Sequence, residues 1–208
     1  MDQKNKKAIK IYDIIAEDYA RRFDCIESAD DMIFPDTFLL HLSVGSIIID
    51  LGCGTGFTSK YFQKNGMNPA GVDLSKSMIN IADRNYGDIK FSVGDMRTFS
   101  PEKTVDAVWA GYSMFNFEQE FFENTLEKIK TYLKRDGIFG IVMQEGAGEI
   151  EHVNPFMPEE KIYIHLYDEE ELKEILLKHG FEVIEQKRKI AENFEFPYNK
   201  ILLISKLK

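Results

Sequence analysis

Ser46–Phe57 reads Ser-Ile-Ile-Ile-Asp-Leu-Gly-Cys-Gly-Thr-Gly-Phe, and it constrains the fold more than any other stretch. Consecutive β-branched isoleucines suit a strand buried on both faces, as in a parallel sheet. The strand runs into glycines at alternate positions, Gly52, Gly54 and Gly56, which permit a tight turn and let a ligand approach the backbone. Thr58–Asn65 follows with helix-like spacing. The unit therefore reads strand, glycine loop, helix, the layout by which open α/β sheets hold nucleotides.

The spacing narrows the ligand. A dinucleotide fingerprint is Gly-x-Gly-x-x-Gly, with the pyrophosphate on the helix N-terminus. Here the pattern is Gly-x-Gly-x-Gly behind an acid, Asp50, which repels a pyrophosphate and suits a ligand carrying positive charge. No Gly-Lys-Ser/Thr follows, which excludes a Walker phosphate loop. The string Asp50–Phe57 closely resembles the first motif of class I S-adenosylmethionine-dependent methyltransferases. Their cofactor carries a sulfonium and an ammonium and has no phosphate. The resemblance implies cofactor contacts from Asp50, Gly52, Cys53, Gly54 and Gly56. The plainer alternative is a structural glycine turn without a ligand.

At 208 residues the chain suits one domain with a sizeable core. A net charge of -9 and a pI near 5.0 argue against nucleic acid, which needs a basic footprint. The short basic clusters Lys4–Lys7 and Lys187–Lys189 read as solvated ends. Cys25 and Cys53 give neither a disulfide framework nor metal-ligand spacing. No apolar run has signal-peptide or membrane-span length, so a reducing cytoplasm is expected, with no membrane partner and no metal.

Further stations follow in order. Lys6–Phe23 places Ile9, Tyr12, Ile15, Ala16 and Tyr19 at helical spacing. Its pattern Tyr12-Asp-x-x-Ala16-x-x-Tyr19 looks like the opening of many small-molecule methyltransferases. There this helix covers the cofactor and the second aromatic, here Tyr19, faces the active site. Ser28–Pro35 reads as an acidic turn and Asp36–Leu42 as a short helix; residues 1–43 would form an N-terminal helical cap. Asn68–Asp73 is the second strand. Asp73 ends it roughly 20 residues beyond the glycines, where an acid accepts ribose hydroxyls, with Leu74 beside it. Ser75 caps a helix over Lys76–Arg84 whose first turns carry Met78.

The third strand, Ile89–Val93, ends in Gly94-Asp95-Met96, which resembles the family's adenine-recognition segment. By that resemblance Asp95 accepts from the exocyclic amine and Met96 packs near the ring. Val105–Ala110 is the fourth strand, and Ala110, Gly111 and Tyr112 at its carboxyl end should border the methionine half of the cofactor. The Ala-Gly-Tyr-Ser here is not the Asp/Asn-Pro-Pro-aromatic of base-methylating enzymes, and neither cysteine follows a proline. Glu118–Leu133 is an amphipathic helix with a glycine cap at Gly137, and Gly137–Gln144 the fifth strand. The long Glu145–Leu166 connection reads as a substrate lid. Asp168 caps a helix to Lys178; strands from Gly180 and over Lys200–Ser205 complete the sheet. The expected fold is a doubly wound, seven-stranded Rossmann-like α/β sheet with the last strand antiparallel, as in this family.

The implied function is methyl transfer from S-adenosylmethionine to a small molecule, leaving S-adenosylhomocysteine. Displacement at a sulfonium creates no oxyanion, so catalysis rests on in-line approach, from which on the order of 7–11 kcal/mol is available. If the acceptor loses a proton, candidate bases are Tyr19, Glu145, His152 and His165. Two rival readings remain: a non-catalytic S-adenosylmethionine-binding regulatory module, and an NAD-dependent oxidoreductase, disfavoured by the glycine spacing. The accepting atom and the oligomeric state are left open.

Overall fold

The computed structural model describes residues 3–24, 29–191 and 197–208. Cys25 and Ser28 fall outside them. A long helix, α1 (Gln3–Phe23), and a shorter one, α2 (Ala29–Leu39), precede the sheet. Then come β1 (Ile47–Leu51), α3 (Phe57–Lys64), β2 (Asn68–Asp73), α4 (Lys76–Tyr86), β3 (Lys90–Val93), β4 (Val105–Gly111), α5 (Gln119–Lys130) and β5 (Leu133–Gln144). After β6 (Gly148–Asn154) and β7 (Met157–Leu166), the chain ends with α6 (Glu169–Lys178), β8 (Phe181–Lys189) and β9 (Lys200–Leu207).

The 7-stranded sheet has the order β3-β2-β1-β4-β5-β9-β8. Every pairing from β3 to β5 is parallel, and β9 lies antiparallel to both β5 and β8. The doubly wound sheet with an antiparallel last strand is thus the observed fold. Side chains alternate between two cores. Ile49, Val108, Phe139 and Ile141 meet Phe122 and Leu126 of α5 and Leu172 and Leu176 of α6. On the other face Ile48, Trp109, Val142 and Leu202 meet Phe34 and Phe38 of α2 and Phe62 of α3. Ser75 and Asp168 cap α4 and α6 through the backbone N–H groups of Met78 (3.2 Å) and Glu171 (2.8 Å).

Three local expectations need correction. The segment read as a turn before Pro35 is helical, with Pro35 inside α2. Phe34 and Phe38, one turn apart, are both fully buried against Phe62 and Trp109, and that burial outweighs the hydrogen bond the proline forfeits. Gly137 is not a helix cap. The helix stops at Lys130 and Leu133 already pairs with Val105. The left-handed residue is Asp136 (φ 61), while a Cβ on Gly137 would lie 2.6 Å from the Leu133 side chain. Finally, Glu145–Leu166 is mostly regular: β6 and β7 form a separate two-stranded antiparallel hairpin.

Candidate active site

At the carboxyl edge of β1, β2, β4 and β5 lies a cavity of about 290 Å³. The glycine loop forms its floor, with the three glycines left-handed at φ 73, 52 and 80. Gly52 and Cys53 donate to the Val72 carbonyl (2.7 and 3.1 Å) and Gly54 donates to Asp73 Oδ2 (3.0 Å). Close packing requires two of the glycines: a Cβ on Gly52 would stand 2.2 Å from Ser113 Cβ, and one on Gly56 2.7 Å from the Phe91 ring. Gly54 differs. A Cβ there would meet no atom within 4 Å, so its open side faces the cavity.

Two acids stand beside the loop. Asp50 is 2 % exposed and accepts from Ser59 Oγ (2.7 Å). Burial pushes its carboxyl up to about 7, with a smaller contribution from Asp73. Asp73 accepts from Gly54 N and Ser75 N (3.0 and 2.8 Å), which leaves acceptor capacity on each oxygen. Burial raises its pKa too, against those hydrogen bonds. Asp13 of α1 adds a tie without a local sequence signal: it accepts from Ser75 Oγ (2.6 Å) and Ser77 N (3.0 Å), docking α1 on the start of α4.

Leu74, Met78, Met96, Gly111 and Tyr19 also line the cavity; Gly56, Gly94, Asp95 and Ala110 do not. Ala110 is fully buried in the core behind it. Asp95 is held in its own turn by Arg97, whose Nη2 donates at 2.6 Å and whose guanidinium lies 4.5 Å from the Phe121 ring centre. Tyr112, at φ 58, carries backbone strain at the rim.

Of the four candidate bases only Tyr19 reaches the cavity. Burial, then Asp24 and Asp73, push its hydroxyl up to about 12. Such a phenol stays protonated at neutral pH and is a donor rather than a base. Glu145 is bound to Arg188 (2.6 Å). His152 lies on β6 against Tyr198, and His165 is buried and stacked on Tyr167 at 4.2 Å.

Other cavity residues had no local signal. The α1 end brings Phe23 and Asp24, α2 brings Met32 and Pro35, and the sheet brings Trp109, Gln144 and Lys200. Asn116 accepts from Tyr12 Oη (3.0 Å) and donates to the Tyr163 carbonyl (2.8 Å), linking α1, the segment after β4 and the hairpin. Phe156 at the hairpin tip meets Tyr19 and Phe23 at 6.0 and 5.9 Å. Lys7 pairs with Glu160 at 2.9 Å. Among the described residues, no group of His, Cys, Asp and Glu could hold a metal, and no helix is long and apolar enough to cross a membrane.

The strand order, the antiparallel β9 and the glycine loop after β1 define the class I S-adenosylmethionine-dependent methyltransferase fold. Residues 48–137 match the family model described as a methyltransferase domain. It is similar to a 1,6-didemethyltoxoflavin-N1-methyltransferase from Burkholderia thailandensis, solved with 1,6-didemethyltoxoflavin and S-adenosylhomocysteine. The TM-score is 0.75 at 18% identity, over 100% of this chain and 92% of that one. A methyltransferase from Methanosarcina mazei gives 0.74 at 16% identity, over 81% and 95%. In sequence, trans-aconitate 2-methyltransferase from Enterobacter sp. (strain 638) is 29% identical over 110 residues, 52% of this chain and 43% of that protein. A ubiquinone/menaquinone biosynthesis C-methyltransferase from Campylobacter jejuni is 24% identical over 153 residues, 67% and 64%. The chain thus spans less than two thirds of the length of these curated relatives.

Proposed function

We propose that the protein transfers a methyl group from S-adenosylmethionine to a small molecule in this cavity. The observation that carries the reading is the open backbone of Gly54 between two carboxylates, the buried Asp50 and the half-buried Asp73. Bare backbone beside acids, with no lysine in the loop, suits a cationic cofactor and not a phosphate. Bound there, S-adenosylmethionine supplies an electrophilic methyl on a sulfonium.

The chain's own residues bind, orient and exclude water. Asp73 accepts the ribose hydroxyls, and Leu74, Met78 and Met96 supply apolar surface for the adenine. Asp50, once ionised, favours positive charge over the loop. The helical cap and the hairpin 145–166 cover the acceptor through the Tyr19, Phe23 and Phe156 cluster and the Tyr12–Asn116–Tyr163 link. With Tyr19 protonated, rate enhancement comes from alignment, not from a buried base. The relatives named above include a C-methyltransferase and an N1-methyltransferase, so the accepting atom is not carried over from them.

Calorimetric titration with S-adenosylmethionine, followed by transfer of its labelled methyl into a metabolite extract, tests this. Binding and a labelled product are expected. Binding without any product would favour a regulatory module, and absence of binding would overturn the proposal.

A further inference from the structure

Three acids border the cavity, and two of them, Asp50 and Asp73, belong to its floor. The third, Asp24, follows the last turn of α1 on the covering side. Thr55 Oγ1 of the glycine loop donates to its Oδ1 (2.6 Å), which fixes the carboxylate between floor and cover. Its Oδ2 is buried without a hydrogen-bond partner, and among the described residues no ion pair reaches it. Burial raises the Asp24 pKa while the Thr55 bond opposes it, so a cation brought beside this carboxylate would be stabilising.

Tyr19, Phe23 and Phe156 form a triangle of rings at this end of the cavity. Their centres lie 4.6 Å (Tyr19–Phe23), 6.0 Å (Tyr19–Phe156) and 5.9 Å (Phe23–Phe156) apart. Asp24 is near enough to Tyr19 to push its hydroxyl up, second only to burial. Arg22, which is not part of the cavity lining, lies over Phe23 and Phe156 at 5.8 and 5.3 Å. These rings thus already hold one cation outside the cavity and can hold another within it.

Gln144, 2 % exposed, brings a second buried oxygen without a partner, its Oε1. Lys189 and Lys200, which border the same cavity, are engaged in interactions of their own. An ionised carboxylate and an amide oxygen can only accept, so both wait for a ligand's N–H or O–H.

Resting on the methyl-transfer reading, we propose that the acceptor is an apolar amine, protonated at neutral pH, whose ammonium sits between Asp24 and the Tyr19, Phe23 and Phe156 rings. Gln144 accepts from a further hydroxyl or amine of the same molecule. Met32, Phe57 and Trp109 supply the wall for its apolar body. The charge-assisted bond to Asp24 selects an amine over an alcohol or an acid, and the rings add attraction to the same charge. The floor acids serve the cofactor, and Asp24 serves the acceptor.

The test uses the full chain saturated with S-adenosylhomocysteine, whose own binding is measured first. Three probes sharing a phenol ring follow: tyramine, 4-hydroxyphenethyl alcohol and 4-hydroxyphenylacetate. Tyramine should bind at least about tenfold more tightly than the other two. Asp24→Asn keeps an acceptor for Thr55 but removes the charge, and should erase that preference while leaving S-adenosylhomocysteine affinity unchanged. Should that variant fail to fold, Phe156→Leu at the hairpin tip should lower tyramine affinity by about threefold and leave the alcohol's unchanged. Equal binding of all three probes, preference for the alcohol or the acid, or no binding by any of them overturns the proposal. Loss of S-adenosylhomocysteine binding in a folded Asp24→Asn variant also overturns it, since Asp24 would then hold the cofactor's own ammonium. Absence of S-adenosylhomocysteine binding by the unaltered chain would instead overturn the methyl-transfer reading.

Discussion

The two halves of the cavity are built by different means. Its floor, from Asp50 to Asp73, is backbone: N–H groups, left-handed glycines and two carboxylates, all within one βαβ unit. Its opposite wall is side chain: Tyr19 from α1, Met32 from α2, Gln144 from β5, Phe156 from the hairpin tip and Lys200 from β9. A floor of backbone tolerates sequence change so long as the glycines and acids stay. A wall of scattered side chains can be altered one residue at a time. Under the proposed function, that contrast would separate what holds the cofactor from what selects the acceptor.

The largest effect should come from the floor. Gly54→Val strains the backbone at φ 52 but puts its side chain into space free of protein atoms, so in a variant whose fold is checked by circular dichroism S-adenosylmethionine binding should fall below detection in calorimetry. Retained affinity would mean that the open side of Gly54 is not the cofactor cradle. Next, Asp73→Ala should weaken binding by about 1–3 kcal/mol, because buried hydroxyls would lose their acceptor. An unchanged dissociation constant in a folded variant would reduce Asp73 to a tie between Gly54 and Ser75.

A pH effect should be smaller. The Asp50 carboxyl is held up to about 7, so below that value it is protonated and above it charged. Only the charged form favours a sulfonium, so cofactor affinity should rise from pH 6 to pH 8 by up to about tenfold. Asp50→Asn should flatten the curve; a variant with the same slope would place the titration elsewhere.

Legibility followed the same division. The glycine loop, Asp73 and the caps at Ser75 and Asp168 are local, with their meaning set by spacing within a few turns. Gln144, Lys200 and Lys189 form a row only after strands far apart in sequence pair, so no window of sequence contains it. The hairpin did leave a signal: Asn154 precedes Pro155, and its Oδ1 accepts from Phe156 N (2.8 Å) and Met157 N (3.2 Å), an Asx turn between strands. Length and composition there suggested a cover, while the alternating Ile162, Ile164 and Leu166 encoded a buried strand. In α2, propensity at Pro35 argued one way and burial of Phe34 and Phe38 decided the other.

The smallest predicted effect concerns the wall. β7 sends Ile162, Ile164 and Leu166 into the main core, whereas β6 is largely exposed apart from Asn154. Hydrogen exchange should therefore be fast along β6 and slow along β7 in the empty protein, with β6 and the tip gaining protection when cofactor and acceptor bind. If Glu145–Leu166 is as protected as the sheet when empty, or unchanged on binding, the cover is a fixed wall and not a lid.

The position of β9 bears on how the molecule is made. β8 has no neighbour until β9 lies between it and β5, and until then β5 is an open edge. A ribosome delivering this chain can assemble β1 to β4 and the glycine loop early, since their partners are already synthesised. The β5–β9–β8 side waits for the segment that carries Lys200. Nascent chains would thus hold a nearly complete floor while still lacking the part of the wall that β9 supplies, with β5 exposed to pairing with another chain in the interval.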